Sequence, residues 1–206
     1  MKHCGTRTLE TGRLVLRRFC INDAQAMFDN WAGDCEVTKY LTWPTHENVE
    51  TSRAILADWV SGYEKDDRYQ WAITLKENGD APIGSIGVVK KNDDIQMVHI
   101  GYCIGQSWWN RGIMSEALSA LIKFFFEEVG AIRIELYHDT RNAASGKVMQ
   151  KCGLIYEGTF RQAERNNQGI CNAAMYAILA EEYFASCNSR RDNRGRKYGD
   201  SICSEK

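Results

Sequence analysis

The chain lacks any long apolar run. Its 206 residues are 44% hydrophobic, yet no apolar stretch approaches the ~18 residues that a membrane-spanning helix needs. Residues 1–19 also lack the apolar stretch of ~7–15 residues found in secretion signals, because arginines interrupt their only apolar patch. The sequence therefore predicts neither a membrane span nor export.

The chain also lacks a charge excess of either sign. Its 26 basic and 27 acidic side chains leave a formal charge of −1, which gives no overall field for holding nucleic acid or an anionic membrane. Any anion site must therefore be local. We expect a small-molecule or peptide-like partner, no nucleic acid and no membrane.

No C-x-x-C pair occurs among the cysteines, although there are eight of them. Several lie inside apolar or helical patterns, where a reduced thiol behaves as a small hydrophobic group. We therefore expect free structural thiols, a reducing cytoplasmic location and no metal site. The eight are Cys4, Cys20, Cys35, Cys103, Cys152, Cys171, Cys187 and Cys203.

The hydrophobic periodicity predicts one mixed α/β domain over residues 1–185. A first strand at 14–19 leads to a helix that Asn22 can cap, and Thr45 begins a second helix that ends at Gly62. Alternating apolar residues then predict an antiparallel meander of strands at 69–75, 82–89 and 95–104. Residues 186–206 are polar and aperiodic, which predicts a solvated, disordered tail.

A helix over 115–129 connects the strand at 95–104 to a strand at 133–138. A strand, crossover helix and strand in this order predict a parallel pair. A helix over 143–151, ending at Gly153, precedes two strands at 155–165 and 172–179 that a turn joins. The sheet is therefore mostly antiparallel, with one parallel pair and flanking helices.

Residues 100–117, with the sequence IGYCIGQSWWNRGIMSEA, pass from a strand through a polar turn into a helix. The first N–H groups of a helix lack carbonyl partners and carry the positive end of its dipole, so they favour a bound anion such as a diphosphate. Gly112 would let the backbone approach that ligand. The alternative is an ordinary connection whose glycine only eases a bend. The loop contains neither G-x-x-x-x-G-K-[ST] nor G-x-G-x-x-G, which disfavours a nucleotide site.

The segment W-N-R-G-I-M-S-E-A resembles the pyrophosphate loop Q/R-x-x-G-x-G/A of the GNAT superfamily of N-acetyltransferases, with Trp109 and Met114 as departures. The resemblance covers residues 10–184. It implies acetyl-coenzyme A as co-substrate, no metal, and a splay between the fourth and fifth predicted strands, where main-chain groups of Cys103 and Ile104 would bind the pantetheine amide. It assigns the pyrophosphate to Arg111, Gly112, Ile113, Met114 and Ser115.

The segment from Asn142 to Leu154 resembles the superfamily motif N-x-x-[SA]-x-x-x-[YM]-x-K-x-G-[FL]. It implies a cofactor contact for Asn142 and Ser145, although Asn142 is equally suited to capping the helix. Many relatives carry a tyrosine general acid where this chain has Met149, which cannot donate a proton.

Within the superfamily, the stretches RLVLRRF, EVTKYLTWP, IGYCIG and GTFRQAE resemble the RimJ/RimL-like group of ribosomal-protein N-terminal acetyltransferases. That resemblance implies that Ser145 is the general acid and Glu164 the general base. The alternative for Glu164 is a charged side chain on a strand that faces solvent. His99 is the rival base, since imidazole titrates near neutrality, or else a structural strand histidine. By analogy with the group, a homodimer is expected.

Trp31, Tyr40 and Trp43 lie in the first helix and the following loop, which border the acceptor cleft in this fold. The resemblance implies that they line the substrate pocket; the alternative is core packing. The predicted function is transfer of acetyl to a primary amine, possible acceptors being a protein N-terminus or a small amine such as an amino acid, polyamine or antibiotic. A non-catalytic CoA-binding sensor is the alternative that Met149 favours.

Overall fold

The computed structural model describes residues 1–196, with side chains as far as Ser189. The eight strands are β1 (Leu9–Glu10), β2 (Leu14–Arg17), β3 (Gln70–Leu75), β4 (Gly84–Asn92), β5 (Met97–Ile104), β6 (Arg133–Asp139), β7 (Ile155–Asn166) and β8 (Gly169–Leu179). The helices are α1 (Ala24–Met27), α2 (Cys35–Thr38), α3 (Val49–Gly62), α4 (Ile113–Phe124), α5 (Ala143–Lys151) and α6 (Ala180–Arg196). Wider helical turns extend α1 over Phe28–Ala32 and α4 over Phe125–Val129.

All the strands form one sheet in the order β1-β2-β3-β4-β5-β6-β8-β7. Every neighbouring pair is antiparallel except β5 and β6, which are parallel. The predicted mixed sheet with one parallel pair is therefore confirmed. Since the short strand β1 precedes the first predicted strand, the parallel pair falls on β5 and β6.

The parallel pair is short, and this creates the opening in the sheet. β5 and β6 are in register only from Met97 to His99 and from Arg133 to Glu135, although both strands continue beyond these residues. β5 is also displaced by an irregularity in β4 around Val89, as bulges commonly cause. The two strands therefore diverge towards their carboxyl ends, as the resemblance implies.

The core lies between the sheet and α4, whose apolar stripe is fully covered. Leu118, Leu121 and Phe125 are all 0% exposed and pack on strand residues such as Trp71 and Ile134. Burying each such side chain contributes roughly 1.5–3 kcal/mol. This packing fixes the direction in which α4 leaves the end of β5.

The first two predicted helices begin at other residues than expected. Asn22 does not cap α1; instead, the Asp23 carboxylate accepts the Cys20 N–H at 2.8 Å and binds the Arg17 guanidinium through both oxygens. Asn48 rather than Thr45 caps α3, because its side chain accepts the Thr51 N–H. Asparagine is a better helix cap than threonine, which accounts for the later beginning of α3.

The carboxyl-terminal helix α6 extends through the boundary predicted at residue 185. Tyr183 packs on Phe126, with ring centroids 5.3 Å apart, and its hydroxyl donates to Glu127. The chain is helical from there to Arg196, which differs from the predicted disordered tail, while residues 197–206 of that tail lie outside the described part. No helix in residues 1–196 is long and apolar enough to cross a membrane.

Candidate active site

A groove with a volume of about 1170 Å³ opens where β5 and β6 separate. Its walls include the beginning of α4, the inner side of α5, and the loop between α2 and α3. It takes in most of the residues predicted for the site. They are His99, Cys103, Ile104, Gly112, Ile113, Met114, Ser115, Asn142, Ser145, Tyr40 and Trp43.

The beginning of α4 has the geometry of an anion site. Gly112 precedes the helix with φ +73°, a left-handed conformation that favours glycine. The first intrahelical bond runs from Glu116 N–H to the Gly112 carbonyl at 3.1 Å. The N–H groups of Ile113, Met114 and Ser115 therefore precede the hydrogen-bonded ladder and remain for a ligand.

Arg111, which was predicted to bind the pyrophosphate, does not line the groove, and neither does the neighbouring Arg13. Arg111 is exposed and lies outside the groove; its carbonyl accepts from Arg13 at 3.0 Å. Arg13 also forms an ion pair with Glu116 at 2.7 Å, which engages the one carboxylate in the first turn of α4. Arg111 therefore acts on an anion at most from the outer side of the loop.

On β5, Ile104 and not Cys103 presents its backbone to the opening. The Gly105 N–H donates to the Ile83 carbonyl at 2.9 Å, and backbone groups alternate in direction along a strand. Those of Cys103 therefore face β4 and those of Ile104 face the gap beyond the β5–β6 pairing. Trp109 Nε1 donates to the Ile104 carbonyl at 2.8 Å, which leaves the Ile104 N–H for a ligand. The main-chain contact predicted for Cys103 does not fit this arrangement.

At the beginning of α5, Asn142 and Ser145 both face the groove. Asn142 caps the helix, because its side-chain oxygen accepts the Ser145 N–H at 3.4 Å. The hydroxyl of Ser145 lies 3.0 Å from the hydroxyl of Tyr102, which also donates to the Ser145 carbonyl at 3.1 Å. Burial raises the pKa of Tyr102, so its phenol keeps its proton at neutral pH. Met149 is buried and 1% exposed.

His99 lies in the wall of the groove within a row of titratable groups. Its Nδ1 is 3.4 Å from a carboxylate oxygen of Glu135, and its ring centroid is 4.7 Å from that of Tyr137. Burial lowers the pKa of His99, and Glu135 offsets part of this effect. His99 is therefore a neutral imidazole at pH 7.

Glu164 lies in a smaller cavity of about 50 Å³ that adjoins the groove. Both cavities share Tyr137 and Asp139 as walls. Burial and then the nearby Glu164 carboxylate raise the pKa of Tyr137 to about 12. Glu164 is half-buried, and its carboxylate lies within hydrogen-bonding reach of the Tyr137 hydroxyl. Within residues 1–189 no ion pair engages it. It is therefore available to an incoming cation.

Asp139 is the second carboxylate in this wall, and it is fully engaged. Its oxygens accept from Arg141 at 2.6 Å and from Asn166 at 2.7 Å. The Arg141 guanidinium holds the pKa of Asp139 well below its usual range. Asp139 is thus a fixed structural anion.

The loop over residues 38–46, here termed the acceptor loop, covers this end of the groove. Tyr40 and Trp43 line the groove from it, and the Arg141 guanidinium lies 5.9 Å from the centroid of the Tyr40 ring. Trp31 does not join them. It is 0% exposed and packs with Phe19 in a second core cluster, so its position corresponds to the core-packing alternative.

Tyr102, Tyr137 and Asp139 are the site residues that the sequence reasoning missed. Tyr102 lies inside the IGYCIG stretch, two residues before Ile104, and strand alternation alone could have placed it on the same face. Its partner Ser145 is 43 residues away along the chain, and no local pattern predicts that contact.

The cysteines are free thiols, as predicted, at the seven positions within the described residues, whereas Cys203 lies outside them.

Comparison with known proteins agrees with this geometry. The Acetyltransferase (GNAT) domain family matches residues 13–155, more than half of the chain. An uncharacterized N-acetyltransferase of Bacillus subtilis, YoaA, is 30% identical over 171 residues, which cover 83% of this chain and 96% of the relative. The ribosomal-protein-serine acetyltransferase of Escherichia coli is 31% identical over 142 residues, covering 68% of this chain and 78% of that protein.

Solved structures show the same fold. RimL, a ribosomal L7/L12 alpha-N-protein acetyltransferase in complex with coenzyme A, matches with a TM-score of 0.76. The match has 20% sequence identity and covers 85% of this chain and 99% of the other.

Proposed function

The chain belongs to the RimJ/RimL-like group of the GNAT N-acetyltransferases, and from this membership we propose that it acetylates the N-terminal α-amine of a protein or peptide. The observation that carries this acceptor class is the length of the groove. Beyond the opening between β5 and β6, the groove continues between α3 and β4. A free small amine would leave that extension empty.

The extension has the surface expected for a peptide. Its walls include Trp43, Trp59 and Ile55, together with Val89, which is 67% exposed on the irregular part of β4. Charged groups of both signs, among them Asp67 and Lys91, edge it. An apolar floor with a polar rim suits an extended chain whose side chains differ in character.

The residues of the groove fit acetyl-coenzyme A as the acetyl donor. Three free N–H groups at the beginning of α4 suit its diphosphate, and the left-handed Gly112 leaves room above them, since a Cβ there would meet only Arg13 within 4 Å. The Ile104 N–H faces the gap where the thioester would lie. When bound, this co-substrate supplies an acetyl group activated as a thioester.

Glu164 is the proposed general base. A protonated amine has no free lone pair, so a carboxylate must remove its proton before attack, directly or through water. Glu164 is available for this role, whereas Asp139 is held by Arg141 and Asn166. His99, a neutral imidazole in the same wall, is the rival.

Ser145 is the proposed hydrogen-bond donor to the departing sulfur. A thiol of pKa ~8.5 needs only mild assistance, which a hydroxyl can give. Tyr102 positions this hydroxyl: its one proton is donated to the Ser145 carbonyl, so its oxygen accepts from the Ser145 hydroxyl 3.0 Å away. In the reaction, the Ser145 hydrogen would turn from Tyr102 to the departing sulfur. The Ile104 N–H would polarise the acetyl carbonyl, an effect of ~2–4 kcal/mol for such donors.

Thiol release from acetyl-coenzyme A with a panel of amines tests the proposal. Peptides beginning with Ser or Ala are expected to react with a kcat/KM at least ~10-fold above that of spermidine and free amino acids. Preference for one of these small amines would replace the peptide acceptor by a small-molecule one. Calorimetric binding of acetyl-coenzyme A without any turnover would support the non-catalytic sensor.

A further inference from the structure

The turn between β7 and β8 reaches across the site and binds the acceptor loop through Asn167. The side-chain amide of Asn167 donates to the carbonyls of Thr38 and Trp43, both at 2.8 Å. Its backbone N–H donates to the Leu41 carbonyl at 3.2 Å. One residue thus satisfies three carbonyls of a loop more than 120 positions earlier in the chain.

The acceptor loop has few other attachments. At its ends, Thr38 bonds to Asp34, and His46 bonds to Ala32 and Ser52. Within the described residues, every hydrogen bond that reaches positions 40–45 from outside the loop comes from Asn167. Asn167 therefore provides all the hydrogen bonds from outside to this part of the loop, while Trp43 also packs on the second core cluster and Tyr40 on Arg141.

The same turn is fixed to the strand that carries Glu164. Asn166, the last residue of β7, donates to the buried Asp139 carboxylate at 2.7 Å. Asp139 in turn holds Arg141, whose guanidinium lies against the Tyr40 ring. The turn therefore ties the acceptor loop, the end of β6 and the Glu164 strand into one unit.

We propose that Asn167 is a positioning residue that sets the affinity for the acceptor by clamping the acceptor loop over Glu164. The proposal rests on the proposed function, since it takes Tyr40 and Trp43 as walls of the acceptor pocket. Without the clamp, no hydrogen bond from outside holds the middle of the loop. An acceptor must then order the loop on binding, which weakens binding and leaves the chemical step nearly intact.

Asn167→Ala removes two hydrogen bonds from the loop and keeps the backbone one. With a Ser- or Ala-initiated peptide as acceptor, its KM is expected to rise ~10-fold, while kcat and the KM of acetyl-coenzyme A change less than ~2-fold. Asn167→Asp keeps the size of the side chain but places a carboxylate oxygen, which cannot donate a hydrogen bond, against two carbonyl oxygens. The KM of the peptide is expected to rise at least as much. Gln168→Ala, at the next position of the same turn, is the matched control and should keep the wild-type KM.

Amide hydrogen exchange gives a readout that needs no acceptor. In Asn167→Ala, the hydrogen-bonded amides of Leu41 and His46 should exchange at least ~10-fold faster, while the paired amides of β5 keep their protection. Unchanged exchange in the loop would overturn the clamp, even if no amine in the panel were turned over. Faster loop exchange with an unchanged peptide KM would overturn its role in acceptor binding.

Discussion

At the level of single residues, the site contains two neighbouring carboxylates with different partners. Asp139 is bound by Arg141 and Asn166, and its low pKa means that it stays ionised and occupied. Glu164 lines the adjoining cavity beside Tyr137, and within residues 1–189 no arginine or asparagine holds its carboxylate. A general base must reach the acceptor and change its protonation state, and Asp139 is held away from this role by its two partners, which is why Glu164 is the proposed base.

Glu164→Gln keeps the shape of the side chain and removes its basicity. We expect kcat at pH 7.5 to fall by ~10²-fold or more, with the Kd of acetyl-coenzyme A nearly unchanged, because the residue lies away from the α4 loop. Steady-state kinetics and calorimetry measure the two quantities. His99→Gln serves as the comparison: a larger loss in that variant, with kcat intact in Glu164→Gln, would assign the base to His99.

At the level of elements, α4 is bounded by two glycines of similar conformation and different surroundings. Gly112 at its beginning has φ +73° and lies at the groove, whereas Gly130 at its far end has φ +75° and no atom within 4 Å of an added Cβ. Alanine at either position is strained by a similar amount, ~1–2 kcal/mol. Only Gly112 lines the groove, directly before the N–H groups proposed to bind the diphosphate.

This difference makes Gly130→Ala a matched control for Gly112→Ala. Both variants should lose stability to a similar extent, seen as similar decreases in Tm. Gly112→Ala should in addition raise the Kd of acetyl-coenzyme A by ~10-fold or more, measured by calorimetry, while Gly130→Ala leaves that Kd unchanged. Equal Kd values for both variants would argue against the diphosphate site at α4.

For the whole molecule, two buried histidines link stability to pH. His46 is 7% and His99 is 6% exposed, and burial lowers the pKa of both below the usual 6.5. In the unfolded chain these imidazoles titrate near 6.5. Below that pH the unfolded chain binds protons that the folded protein does not, so the free energy of unfolding falls as the pH decreases.

The Tm is therefore expected to be level from pH 8 to 7 and to fall from about pH 6.5 downwards, by about 2–4 °C for each kcal/mol lost. Thermal unfolding at half-unit intervals from pH 8 to 5.5 measures this. His99→Gln removes one of the two groups, so its Tm should fall less steeply over the same range. A Tm that rises on acidification in the wild type would contradict the assignment.

Local patterns in the sequence determined most of the elements and the cofactor half of the site. The apolar periodicities of α4 and α5, and the glycine before α4, act over a few neighbouring residues, so they can be read without the fold. The sheet with its parallel pair and the free N–H groups from Ile113 to Ser115 follow from such patterns.

The proposed acceptor half of the site was decided by tertiary contacts. Trp31 and Trp43 have the same aromatic character in the sequence, yet one is in the core and the other lines the groove, because α1 turns one inwards and the acceptor loop is held outwards by Asn167. The pairing of Tyr102 with Ser145 and the division of roles between Asp139 and Glu164 likewise depend on distant segments meeting. Such contacts produce no periodic pattern in the sequence, because they form only when the folded sheet brings distant strands and turns together.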